Sequence, residues 1–191
     1  ATRVTQISGR GIGMDVVRNE IAALGARAEV ATALGKGTRL VLPMQLTLAV
    51  APGGEEAARA LAGALDTLRG AGWKCQQASP ASEAVLRREL GASTVLHLVA
   101  DAAAVGSSYV TLRLADSAGG VRGLNVQALV TLLRQAAPGL KLLLLQPASA
   151  GEAARAPHAL AVQALARAGV GALVSMSAPT TAAAHAAFYR A

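Results

Sequence analysis

Beyond residue 45 the chain alternates two kinds of hydrophobic pattern. Continuous apolar runs at 46–51, 94–100 and 140–145 predict strands, and the last two are apolar enough to be covered on both faces. Between the runs, apolar residues return every third or fourth position. Ala58, Leu61, Leu65 and Leu68 do so within 55–68, which places them on one face of a helix. The same reading gives strands at 73–78 and 172–176 and helices at 82–90, 126–135, 153–168 and 180–189. Pro80 and Ser82 open the first of these helices and Gly91 ends it, while Asn125 caps the second. Stretches 109–114 and 121–124, separated by Asp116-Ser-Ala-Gly-Gly120, predict a hairpin or a short extension of the sheet. Strands alternating with helices imply a largely parallel sheet with helices on both faces, a three-layer α/β architecture.

Before residue 46 the pattern differs. Val16, Val17, Ile21 and Leu24 share one face of a helix over 14–24 that Gly25 stops. Strands follow at 28–31 and 38–42 around a turn at 34–37. Pro43 and the Pro52-Gly53-Gly54 turn bracket the change, so the chain is divided into residues 1–45 and residues 46–191.

The first segment carries the most specific chemistry. Ser8-Gly9-Arg10-Gly11-Ile12-Gly13 runs directly into the first helix. Glycine lets the backbone approach an anion closely, and the free N–H groups of a helix start point at the same place. Together with Gly35-Lys-Gly-Thr-Arg39 and Leu42-Pro-Met-Gln-Leu-Thr-Leu-Ala-Val50, this stretch resembles the C-terminal part of the ATP-binding domain of CheA-type chemotaxis histidine kinases. The resemblance implies that Gly9, Gly11 and Gly13 face the nucleotide phosphates, with Gly35, Gly37 and Thr38 also on the nucleotide side. That family also uses an upstream Asn that holds Mg²⁺ and an Asp-x-Gly-x-Gly segment that reads adenine. Neither occurs here, so residues 1–48 read as the tail of a kinase domain. No cofactor is expected to bind this chain alone; ATP and Mg²⁺ belong to an intact parent.

Composition narrows the partners. Net charge is +7, divided almost evenly between the two segments, and aromatic residues make up only 2% of the chain. With no basic block and no interleaved aromatics for base stacking, nucleic acid is excluded as the expected partner. No apolar run is long enough to span a membrane, and no secretory signal is recognisable. The single cysteine, Cys75, precludes an internal disulfide, fits a cytoplasmic setting and reads as a small buried hydrophobe.

The end of the chain adds a second resemblance. The stretch from Ala164 to Pro179, with its Ala168-Gly-Val turn, followed by a helix closing on Phe188-Tyr-Arg190, resembles CHAT domains, the caspase-like modules. The resemblance covers residues 46–191. It implies a Cys-His dyad, because a thiol needs an adjacent base to become a nucleophile. At the His position this chain has Asp101, and at the Cys position Ala148. Ser149, read as a turn residue without a nearby base, does not replace the thiol. His97 reads as a hydrogen-bonded core histidine, His158 and His185 as surface residues, and no metal-ligand spacing occurs.

The resulting expectation is a caspase/CHAT-like α/β domain without catalytic residues, preceded by a helix-plus-strands fragment of a histidine-kinase ATPase domain. Its function would be a non-catalytic interaction module in a two-component signalling assembly, with protein partners. Two alternatives stay open. One is an enzyme, either a sensor kinase completed by an upstream ATP-site half or a cysteine peptidase with a relocated dyad. The other is a receiver-like regulatory domain, against which stand the absent acidic cluster at Ala51-Pro52-Gly53 and the lack of an Asp after a central strand other than Asp101.

Overall fold

The computed structural model describes residues 29–33, 37–41, 44–106, 109–178 and 181–188. The chain divides into two compact units, Ala1–Pro43 and Met44–Ala191. The break falls two residues before the expected one. Met44 and Gln45 already belong to the larger sheet, where the Lys74 N–H donates to the Met44 carbonyl at 2.9 Å and the Gln45 N–H to Thr94 Oγ1 at 3.0 Å.

In the first unit, β1 (Glu29–Ala33) and β2 (Gly37–Val41) form an antiparallel pair with Thr32 opposite Thr38 and Ala33 opposite Gly37. This is the hairpin expected around residues 34–37. The helix read over 14–24 and the positions of Gly9, Gly11, Gly13 and Gly35 lie outside the described residues.

The second unit is built on five parallel strands: β3 (Gln45–Val50), β4 (Lys74–Ala78), β5 (Val95–Val99), β9 (Leu142–Gln146) and β10 (Leu173–Ser175). Their spatial order is β10-β9-β5-β3-β4. The two most apolar runs, β5 and β9, are interior strands; every residue of β5 is buried. Apolar runs end up at the centre because only there are both faces covered.

The two faces bury different side chains. Leu46, Leu48, Val50, Val95, Val99 and Leu144 pack against α1 (Glu55–Gly70), which contributes Ala57, Leu61, Leu65 and Leu68. The C-terminal helix α5 (Ala182–Phe188) lies against α1. On the opposite face, Ala49, Leu96, Leu98, Leu143 and Leu145 meet α2 (Glu83–Glu89), α3 (Val126–Ala136) and α4 (Glu152–Arg167). Helix starts follow the sequence signals: Ser82 Oγ accepts from the Val85 N–H at 3.2 Å, and Asn125 Oδ1 from the Gln127 N–H at 2.7 Å.

Between β5 and α3 a three-stranded antiparallel sheet is inserted, ordered β6 (Ala102–Val105), β7 (Tyr109–Ala115) and β8 (Val121–Asn125). The hairpin β7–β8 was expected; β6 was not. Its three alanines give it little strand propensity, and pairing with β7 supplies what the residues lack.

Candidate functional site at the carboxyl edge of the sheet

In a doubly wound sheet the chain reverses direction across one point, and the loops leaving the carboxyl ends of the strands there form the usual binding crevice. Here that point lies between β3, which connects outward to β4, and β5, which connects the other way to β9. Backbone hydrogen bonds draw its rim together. The Ala51 N–H donates to the Val99 carbonyl at 2.9 Å, Ala81 to Val50 at 2.7 Å, and Ala100 to Gln146 at 2.9 Å. Gly54 seals the remaining space, since a Cβ there would lie 2.9 Å from Val99 Cγ1 and 3.0 Å from Val50 Cγ1.

One strand further along, the edge carries chemistry. Val99 of β5 stands opposite Gln146 of β9, and just beyond these strand ends Asp101 meets Ser149, the residue after Ala148. The loops that carry the two positions assigned to the dyad by the CHAT resemblance thus leave the same edge of the sheet. They hold neither thiol nor imidazole. Instead the Ser149 N–H donates to Asp101 Oδ1 at 2.8 Å, and the Ser149 hydroxyl donates to Asp101 Oδ2. Ser149 thus has an acidic neighbour, a contact that the sequence reading did not foresee. With both carboxylate oxygens taken up by Ser149, the contact braces the loop.

The histidines required correction. His97 is a core residue as expected, fully buried on the α1 side of β5. His185, read as exposed, is fully buried as well, and His158 is 3% exposed. Gln146 Oε1 lies 3.0 Å from both His97 Nε2 and His185 Nε2, and the two rings meet edge to face with centroids 5.9 Å apart. Burial, with the neighbouring His185 second, pushes His97 down to about 4, so it is neutral at physiological pH. His158 Nε2 lies 2.9 Å from Ser175 Oγ. Burial lowers His158 too, opposed by a hydrogen bond that it donates to the Met176 backbone and by the Asp101 charge.

A signal for His158 was present in the sequence. His158, Ala161 and Leu165 recur at helical spacing and all are buried, so the histidine shares the inward stripe of α4. For His185 and Gln146 no local signal exists, because the contact joins positions 39 residues apart.

Cys75 sits half-buried on the edge strand β4, its thiol pushed up by burial and only partly offset by Arg69. Among the described residues no group of three or more His, Cys, Asp or Glu side chains could hold a metal ion, and no helix is long and apolar enough to cross a membrane.

Comparison with known proteins supports one segment. The chain is 45% identical over 53 residues to the chemotaxis protein CheA of Klebsiella aerogenes, and 40% identical over 50 residues to that of Bacillus subtilis. The gliding motility regulatory protein of Myxococcus xanthus is 38% identical over 48 residues. These stretches make up 25–28% of this chain and only 6–8% of the relatives. The chain thus contains a CheA-like segment and spans less than a tenth of the proteins it matches. It matches no protein-family model. Among solved structures, a pilus assembly-related protein from Burkholderia pseudomallei aligns with TM-score 0.41 and 19% identity, covering 77% of this chain and 87% of that one. A pilus assembly protein from Burkholderia thailandensis aligns with TM-score 0.40 and 18% identity, covering 77% of this chain and 95% of that one.

Proposed function

We propose that this chain is part of a chemotaxis-type signalling protein and that residues 44–191 act in it as a non-catalytic, protein-binding regulatory module. The observation that carries this reading is the pairing of Asp101 with Ser149 at the end of two central strands, next to Ala148. Where the CHAT resemblance places a thiol and its base, the side chains hold the loop in place. The CheA-like segment supplies the signalling context. Because that segment lacks the adenine-reading Asp and the Mg²⁺-holding Asn, ATP and Mg²⁺ would be bound by an upstream half of the parent, with Gly9, Gly11, Gly13, Gly35, Gly37 and Thr38 closing the phosphate side. The partners are proteins of the signalling assembly, in the cytoplasm.

The test is made on the parent kinase, with and without residues 44–191. Autophosphorylation should persist without them while its response to signalling partners is lost. An unchanged response counts against the regulatory role. Peptide hydrolysis by the purified chain that survives Cys75→Ser would overturn the non-catalytic part.

A second reading rests on the strand order. Counting the parallel strands along the chain, the order is 2-1-3-4-5, that of flavodoxin-like and receiver folds. Asp101 then follows the third strand, where a phosphorylated Asp would stand, although Ala51-Pro52-Gly53 offers no acidic cluster beside it. Incubation with acetyl phosphate and Mg²⁺ separates the readings: incorporation of phosphate abolished by Asp101→Asn favours a receiver.

A further inference from the structure

A cleft of about 270 Å³ lies on the β3–β4 side of the switch point, where the first two turns of α1 pass the carboxyl ends of these strands. Crevices at this edge are the usual ligand sites of α/β sheets. Its apolar wall is Val50 from the end of β3 with Ala58 and Ala62 from α1, while Gln77 and Ser79, near the end of β4, add polar groups. Among the described residues its charged lining is Glu55 and Arg59. They stand four positions apart on α1, a spacing at which opposite charges can meet. Here the pair stays open. The ion pairs among the described residues are Asp66–Arg69, Glu83–Arg87 and Glu89–Arg88, and Glu55 instead accepts the Gly53 N–H at 3.2 Å through Oε1. The turn that makes this contact needs glycine, since Gly53 has φ +88°.

We propose that this cleft binds a small aliphatic α-amino acid, with its ammonium at Glu55, its carboxylate at Arg59 and its side chain against Val50, Ala58 and Ala62. Three features select that class. One anion and one cation, unpaired with each other on the same helix face, are both satisfied by a zwitterion, whereas a simple anion or cation leaves one of them unmatched; the guanidinium holds the carboxylate through charge-assisted hydrogen bonds. The wall is apolar but short, which favours a small hydrocarbon side chain. The volume falls just below the roughly 300–1,000 Å³ of ligand pockets, too small for a nucleotide or a folded peptide. The site lies apart from Asp101, on the other side of the switch point, and does not depend on the regulatory reading. Within that reading an amino acid would be a signal to which the module answers.

The experiment is an amide NMR titration of the full chain with L-valine. Isovalerate and isobutylamine, each lacking one of the two charges, are the controls. Saturable shifts confined to residues 50–62 and 77–79 are expected, with a Kd on the order of 1 mM because the cleft is open to solvent, and each control should bind at least about tenfold more weakly. Arg59→Gln and Glu55→Gln should each weaken valine about tenfold. Gln at position 55 can still accept the Gly53 N–H, so that variant removes the charge and keeps the turn. Ala62→Leu should abolish binding by filling the cleft while leaving the thermal midpoint within a few degrees. All three side chains are exposed, so the variants should fold. No saturable shifts, a response to either control equal to that of valine, or valine affinity unchanged in both charge variants overturns the proposal.

Discussion

Asp101 and Ser149, 48 residues apart, close on one another at the ends of adjacent parallel strands, the serine giving both its backbone N–H and its hydroxyl to the two carboxylate oxygens. The contact fixes the loop that leaves β9 and feeds α4. Asp101→Ala should therefore loosen residues 147–151 and destabilise the unit by about 1 kcal/mol, less than a buried charge-assisted bond because the pair is open to solvent. Urea midpoints measure the loss; an unchanged midpoint together with unchanged amide exchange at 149 would show that the contact carries no weight.

The same adjacency predicts the outcome of a double substitution. With Asp101→His and Ala148→Cys, an imidazole stands beside a thiol on neighbouring strand ends, and the thiolate is stabilised. Iodoacetamide at pH 6 should alkylate the introduced thiol well before Cys75, whose own thiol is pushed up by burial. Equal rates at the two cysteines would mean that positions 101 and 148 do not meet.

Stability should fall in mild acid. Burial lowers His97 from about 6.5 to about 4 and moves His158 and His185 in the same direction. The unfolded chain takes up these protons first. Stability is therefore full above about pH 6.5 and lost as the pH drops toward 4, with His97 alone accounting for on the order of 3 kcal/mol. Urea midpoints at pH 7.5 and 4.5 should differ accordingly, and His97→Gln should flatten the dependence. A midpoint that ignores pH over this range rejects it.

The core expectation is graded by strand position. Leu96→Ala, Leu98→Ala or Leu143→Ala, all fully buried on interior strands, should cost about 2–5 kcal/mol. Val174→Ala on the short edge strand β10, where the residue is only partly buried, should cost less. Thermal melts of the four variants rank them, and a Val174 variant as damaged as the leucine ones would contradict the grading.

The chain alone is expected to bind no Mg-ATP, since its glycines serve only the phosphate side. Calorimetric saturation at tens of micromolar ATP would refute this.

The sheet was legible because its strands announce themselves. Runs such as Val95-Leu-His-Leu-Val99 and Leu142-Leu-Leu-Leu-Gln146 fit only covered strands, and Ser82, Asn125 and Gly91 mark helix ends by local chemistry. What stayed hidden was made by distance. Ala102–Val105 became a strand only through β7. His185 and Gln146 meet only once the last helix has folded back over the sheet, and Asp101 finds Ser149 across 48 residues. His158 is the instructive miss. Its stripe was readable, but a histidine beside a proline in a helix suggested solvent.

The imidazole–amide–imidazole bridge under α5 also bears on how the chain emerges from the ribosome. All five strands are synthesised before α5, so the sheet can form while the side chains of His97 and Gln146 still hold water on an uncovered face. The terminal helix brings His185 to replace that water, and its docking exchanges solvent for an internal polar bond as well as burying hydrocarbon. Emergence of α5, rather than collapse of the leucine core, therefore sets when this face becomes dry.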